Sequence, residues 1–438
     1  MAMTKTAEPP FLVALNLTRR CNLKCDHCYL DAGVRRRGEL SELTTAEVEG
    51  ILDQIAALSD ETMVVLTGGE PMMRPDILQL AKKGSDLGLM VVLGTNGALL
   101  NDARIAALQQ AGVRAAGISL DSLKAQYHDD FRGKLGAWAK TMAAFDACRR
   151  AGFMFQIHFS VTDDNADELD DMIDFARSTG AAVLNVFFLV CTGRGEAVTN
   201  ISCDVYERVL RRVAGAARDE QELLVRARCA PHFKRMALEI DPPLPVTMVD
   251  GYEAGGCLAG TRYCRVTPEG DVTPCPYMEV SAGSLREQPF ADIWRNAPIF
   301  EQLRSPHLEG RCGACEYRQV CGGCRARPLA RFGNLMGEDF LCGYNPRSGA
   351  VVGPTGQTKY SIGWTEEAEA RLRHVPSFVR RFVRQRAEAF ACEQGAAAVL
   401  GEHLDTLARR RFGKAGAHGT GPNRPMKDRK HSIRTDVT

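Results

Sequence analysis

Six short runs rich in aliphatic and β-branched residues recur through the first half of the chain, at Phe11–Leu17, Met63–Leu66, Met90–Leu93, Ala116–Leu120, Phe153–Val161 and Val183–Val190. Longer stretches with helical spacing of apolar residues lie between them, such as Val48, Ile51, Leu52 and Ile55, then Ile105, Leu108 and Ala111. This alternation leaves little choice of fold. Strands separated by helices pair in parallel, and right-handed crossovers curl such a sheet toward a barrel. The pattern predicts an α/β fold, a partial (β/α)6 TIM-like barrel over residues 11–225, preceded by an arm at residues 1–10.

In such barrels the active site lies at the C-terminal ends of the strands. The first run is followed by a loop holding Cys21, Cys25 and Cys28, and the second by Thr67-Gly68-Gly69-Glu70-Pro71. Thr95-Asn96-Gly97 follows the third, the fourth ends in Ser119-Leu120-Asp121, and the sixth runs into Cys191-Thr192-Gly193-Arg194-Gly195. Glycine and polar residues are common in any turn. Five such sites on one rim, one with three thiols, ask for more than turns.

The chain has 16 cysteines in 438 residues, and their distribution is uneven. After the first three, eight fall between Cys257 and Cys342, in a region dense in Gly and Pro that is expected to fold around metal. Cys148, Cys191, Cys203, Cys229 and Cys392 are scattered singly and read as small packing residues. No basic region followed by an apolar stretch opens the chain, and no apolar run approaches the roughly 18 residues that span a bilayer. A cytoplasmic location without a membrane span is therefore expected, where thiols stay reduced and bind metal before they crosslink. The 55 Lys+Arg against 54 Asp+Glu argue against nucleic acid as a partner.

Three thiolates on one short loop leave one iron of a four-iron cluster open, and soft thiolate suits iron–sulfur chemistry. Zinc would need a fourth ligand, for which His27 is placed. The run Cys21-Asn22-Leu23-Lys24-Cys25-Asp26-His27-Cys28-Tyr29 resembles the signature loop of the radical S-adenosylmethionine (SAM) enzymes. The resemblance implies a 4Fe–4S cluster on Cys21, Cys25 and Cys28, its open iron chelated by SAM, which is cleaved to a 5′-deoxyadenosyl radical. Gly68, Gly69, Glu70 and Pro71 look like the family's glycine-rich motif, with Glu70 accepting from the cofactor's amino group. By the same resemblance Asn96, Ser119 and Asp121 would contact the cofactor and His27 would stack on its adenine.

The later cysteines resemble the auxiliary-cluster extension called SPASM, expected over residues 226–353. Carried over residue by residue, Cys257, Cys264, Cys275 and Cys324 would hold one 4Fe–4S cluster, and Cys312, Cys315, Cys321 and Cys342 a second. Zinc ribbons are the alternative, since two Cys-x2-Cys pairs also suit zinc.

Phe187 to Gly195, His128 to Gly133 and Cys312 to Arg327 are similar to the haem and haem d1 biosynthesis branch of the family. A helical segment at residues 354–412, with Trp364, Ala368 and Leu372 on one face and a second helix from Pro376 carrying Phe378, Phe382 and Ala389, is similar to the domain ending the B subunit of protochlorophyllide reductase. The Val375-Pro376-Ser377-Phe378-Val379-Arg380 run carries that likeness, beside the plainer reading of a helical hairpin for docking. Pro354–Lys359 reads as a linker. From Arg409 onward, nine Lys/Arg against two Asp/Glu read as a disordered tail, bounded as residues 413–438. Both likenesses point to an iron tetrapyrrole substrate losing carbon dioxide or a propionate or acetate side chain. A low-potential donor such as ferredoxin or flavodoxin would supply electrons, and Arg132 and Arg194 would pair with substrate carboxylates. A peptide-modifying maturase is the enzymatic alternative, and a non-catalytic electron-transfer scaffold the alternative of another class. Gly68 to Pro71 speaks against the scaffold, because electron transfer needs no cofactor-binding glycines.

Overall fold

The computed structural model of the chain describes residues 7–33, 41–197, 201–220, 222–242, 244, 256–353, 362–375 and 377–412. Seven parallel strands follow one another across the sheet: β1 (Leu12–Asn16), β2 (Met63–Thr67), β3 (Met90–Thr95), β4 (Ala115–Ser119), β5 (Met154–Val161), β6 (Val183–Phe188) and β7 (Leu224–Arg228). Each alternates an outward apolar side chain with an inward one. Val13, Leu15, Val64, Leu66, Ile157, Phe159, Leu184 and Val186 join the apolar faces of the helices in one continuous core. The helix Thr45–Leu58 shows how locally this is specified. Thr44 and Glu47 close a capping box at its start, and Val48, Ile51, Leu52 and Ile55 form its buried stripe.

The seventh strand departs from the six expected. Its sequence, Leu-Val-Arg-Ala-Arg, breaks the apolar run with two arginines, so it does not read as a buried strand. Its pairing with β6 sets Arg226 beside Asn185 and Arg228 beside Phe187, on the inner face. The domain boundary expected after residue 225 falls inside β7.

The cysteine-rich region is not built around metal alone. Its strand β8 (Tyr263–Val266) pairs in parallel with the free edge of β1, and β9 (Asp271–Thr273) and β10 (Gly283–Ser284) continue antiparallel. The sheet thus has ten strands, and the region's own helices bury Phe290, Trp294 and Phe300 in the barrel's core. Close to the C-terminus, helices Glu366–His374, Ser377–Glu393 and Gly401–Phe412 gather with β11 (Gly363–Trp364) and β12 (Ala398–Val399). They enclose a small separate core of Ala368, Ala387, Ala391, Val399 and Leu404. The last of these helices runs through Arg409 to Phe412, where the basic tail was expected to begin. The linker Pro354–Lys359, Pro376 and residues 413–438 lie outside the described residues. Among the described residues no helix is long and apolar enough to cross a membrane.

Candidate active site

The loop after β1 carries Cys21, Cys25 and Cys28, and the chain offers a donor to each sulfur. The Leu23 amide donates to Cys21 Sγ at 3.4 Å, the Ala32 amide to Cys28 Sγ at 3.3 Å, and the Arg132 guanidinium to Cys25 Sγ at 3.8 Å. Such donors stabilise thiolate. Burial pushes the Cys21 thiol up to about 12 and raises Cys25 as well, so both are protonated until a metal displaces the proton. Two loops, those after β2 and β6, clamp this one in place. Gly69 donates to Thr18 O at 2.7 Å, Glu70 to Arg20 O at 2.8 Å, and Arg194 to Cys28 O at 3.2 Å through their backbone amides.

The glycines of Gly68-Gly69-Glu70-Pro71 serve that clamp. A Cβ on Gly69 would stand 2.3 Å from Arg20 O, and one on Gly68, at φ +132°, would stand 2.7 Å from Thr18 O. Pro71 starts a short 3-10 turn beneath them. Glu70 is fully buried, and its carboxylate accepts from Thr95 Oγ1, the Asn96 amide and the Met72 amide at 2.9 to 3.1 Å. Through these bonds Glu70 holds the loop after β3. Asn96, so held, reaches Asn22 Oδ1 at 2.8 Å and Cys21 Sγ at 3.8 Å. Ser119 stands partly exposed at the end of β4. His27 lies flat on Phe131, ring centroids 4.3 Å apart, which occupies one face of its imidazole.

Asp121 is tied to protein partners just behind the cysteine loop. It is fully buried, accepts from Arg132 Nε at 2.5 Å and from the Ser160 amide at 3.3 Å, and has His128 Nδ1 at 3.8 Å. Burial pushes its carboxyl up, but the Arg132 charge and hydrogen bond, with His27 and His128, together outweigh this and hold it below the ordinary carboxylate range. Arg132 is in turn committed to Asp121 and Cys25, so it is a positioning residue of the cysteine loop and not a partner for substrate carboxylates. Arg194 is corrected in the same way. It donates to Cys25 O at 3.0 Å, Asp31 at 2.5 Å and Ala32 O at 2.9 Å, stitching the loop shut.

The polar residues that do line the barrel are ones the motif reading passed over. Gln156, His158, Asn185, Arg226 and Arg228 share the inner face of β5, β6 and β7. Asn185 donates to Gln156 Oε1 at 2.8 Å and accepts from Arg228 Nε at 2.8 Å. Gly117 gives His158 its room, since a Cβ there would stand 2.3 Å from the ring. Burial, aided by Arg228, lowers His158 to about 3, so its imidazole is neutral at pH 7. The period-two spacing of Gln156 with His158 and of Arg226 with Arg228 was the available signal.

In the cysteine-rich region, Cys312, Cys315, Cys321 and Cys342 line one pocket, ringed by Arg235, Arg311 and Arg318. The Asp339 amide donates to Cys312 Sγ at 3.4 Å. The other expected quartet is not assembled as proposed. Cys257, Cys275 and Cys324 pack in one buried group, but Cys264 lies across the sheet in the barrel's core. The cause is strand periodicity. On β8, Tyr263 turns toward that group and Cys264 turns away from it, beside Val13. Cys229 packs with the three instead. Of the other single cysteines, Cys148 is core, whereas Cys203 and Cys392 are exposed and fill no packing role.

Comparison with known proteins decides what this arrangement is. The Radical SAM superfamily model matches residues 15–176, and an iron-sulfur cluster-binding domain model, SPASM, matches residues 257–325. The AdoMet-dependent heme synthase of Methanosarcina barkeri is 41% identical over 78% of this chain and 99% of its own length. The chain belongs to the radical SAM superfamily. It is a radical SAM enzyme with a SPASM iron–sulfur domain. The pre-heme d1 synthase of Dinoroseobacter shibae is 32% identical over 76% of this chain and 86% of its own. Streptococcus suis SuiB bound to S-adenosylmethionine has the same fold, with a TM-score of 0.62 at 19% identity, over 77% of this chain and 78% of that one. A model described as the protochlorophyllide reductase 57 kD subunit matches residues 364–407.

The radical SAM loop fits the cluster and cofactor of its family. Three thiols with N–H donors aimed at them form an anionic donor set. His27 Nδ1 and Thr192 Oγ1, on loops meeting at the cysteines, are buried without a protein partner among the described residues. Both are available to a bound polar group.

Proposed function

We propose that this enzyme removes carbon dioxide, or a whole propionate or acetate side chain, from an iron tetrapyrrole in haem or haem d1 biosynthesis. The observation that carries this reading is the identity with the Methanosarcina heme synthase along nearly all of that relative's length. When bound, the cluster and SAM supply one-electron cleavage and hydrogen-atom abstraction. Cys21, Cys25 and Cys28 hold that cluster, with Arg132 and Arg194 fixing their loop. Arg226 and Arg228, on the inner face of the barrel, meet the substrate carboxylates, a pairing that guanidinium makes in two parallel hydrogen bonds. Neutral His158 beside them packs on Phe187 and bounds the chamber. The electron left after loss of carbon dioxide passes toward the SPASM domain. A low-potential ferredoxin or flavodoxin in the cytoplasm supplies the starting electron.

The test is anaerobic turnover of the reconstituted enzyme on iron-coproporphyrin and sirohaem derivatives, followed by mass spectrometry. Substrate-dependent 5′-deoxyadenosine with a decarboxylated or trimmed tetrapyrrole is expected; 5′-deoxyadenosine formed without any change in these substrates counts against the tetrapyrrole. Arg228→Met is expected to raise KM about ten- to a hundred-fold, the loss of one charged hydrogen bond, with little change in uncoupled SAM cleavage.

A further inference from the structure

We infer that Cys229, at the C-terminal end of β7, is the fourth ligand of the first auxiliary cluster, completing the set of Cys257, Cys275 and Cys324 in place of Cys264. The inference rests on the reading of the cysteine-rich region as an iron–sulfur domain and names a ligand that the SPASM match, at residues 257–325, leaves outside its bounds.

Four observations converge on this residue. First, Cys229 packs against the same buried group as the other three thiols, with Tyr277 beside it. Second, Cys229 has φ +56°, a left-handed backbone that side chains other than Gly, Asn and Asp rarely adopt. A cysteine kept in such a conformation, where glycine would be easier, points to a use for its thiol.

Third, its backbone is tied to that of Cys324. Arg327 donates to Cys229 O at 2.5 Å and to Asp339 Oδ2 at 2.7 Å, and the same Asp339 oxygen accepts from the Cys324 amide at 2.8 Å. Arg327 is a fully buried cation with a single carboxylate partner among these contacts. A cluster held by four thiolates is anionic, and Arg327 is placed to offset it. Fourth, Cys264 cannot join without a one-residue slip of β8, which would turn Tyr263 and Arg265 into the core.

Ligation by Cys229 anchors the cluster to the barrel itself. Arg228, the adjacent residue, reaches Asn185 inside the substrate chamber, so the path from substrate to the cluster is one residue of backbone. On ligation the Cys229 thiol gives its proton to solvent and binds iron as thiolate.

The test uses the full chain with Cys21, Cys25 and Cys28 replaced by Ala, so that only auxiliary clusters load. Iron and sulfide content, electron paramagnetic resonance (EPR) and Mössbauer spectra are read after anaerobic reconstitution. If this parent binds no iron, the iron–sulfur reading itself fails. If it loads two clusters, adding Cys229→Ala is expected to remove about four irons per chain, or to leave a cluster that loses one iron to ferricyanide and gives a three-iron signal. Cys229→Ser is expected to keep the iron and shift the EPR spectrum, and Cys264→Ala to change neither. The second cluster's spectrum, unaltered throughout, reports a folded domain. An unchanged spectrum in Cys229→Ser, or loss of a cluster in Cys264→Ala, would overturn the assignment.

Discussion

At the scale of single residues, the site is governed by buried charges whose partners are fixed. Arg132 and Asp121 are both nearly closed to solvent, so removing one leaves the other uncompensated. Asp121→Ala is expected to cost about 3–5 kcal/mol of stability, measured by chemical denaturation of the apoprotein. His128 gives the same neighbourhood a pH dependence. Burial, against the pull of Asp121, lowers its pKa to about 4, whereas in the unfolded chain it titrates near 6.5. Between those values the unfolded chain binds a proton that the folded chain does not, so stability falls as pH drops from about 6.5 to 4, by about 1.4 kcal/mol per pH unit from this residue. His128→Gln should flatten that part of the profile. The sequence singled out Asp121 and Arg132 but could not pair them, because they meet only when the end of β4 and the helix Ala125–Phe131 pack together. The places of Cys264 and Cys229 were hidden for a related reason: spacing along the chain does not tell which face of a strand a thiol will take.

At the scale of elements, the rim of the barrel is an assembly of loops bonded backbone to backbone around the cysteines. Gly69 lies where that approach is tightest. Gly69→Ala would set a methyl 2.3 Å from Arg20 O, so the loop after β2 must withdraw. The expected outcome is loss of most of the iron bound at Cys21, Cys25 and Cys28, with auxiliary iron retained, read by iron analysis beside the EPR spectra. Much of this level was legible. The six strands of the barrel stand within a few residues of where hydrophobic runs placed them, since a buried parallel strand is a near-continuous apolar run. β7 was missed because its inner face carries two arginines, and the same substitution of polar for apolar marks the inner wall of β5 and β6. A strand whose inner face is polar hides from a search for hydrophobicity.

At the scale of the whole molecule, the barrel and the cysteine-rich region share one sheet and one core. Beside the metal around which this region was expected to fold stands a strand pairing, β8 on β1, that ties it to the barrel's sheet. The region presents its thiols at two places, one of them joined to the barrel by Cys229. The small C-terminal unit has its own core. In the proposed function this architecture delivers a radical to the carboxylate side chain of an iron tetrapyrrole. Mass spectrometry of anaerobic single-turnover mixtures, with iron tetrapyrroles carrying deuterium in their propionate or acetate chains, tests it most directly. Deuterium in 5′-deoxyadenosine is expected, together with a tetrapyrrole lighter by carbon dioxide or by the side chain. 5′-Deoxyadenosine free of deuterium, beside intact tetrapyrrole, would contradict it.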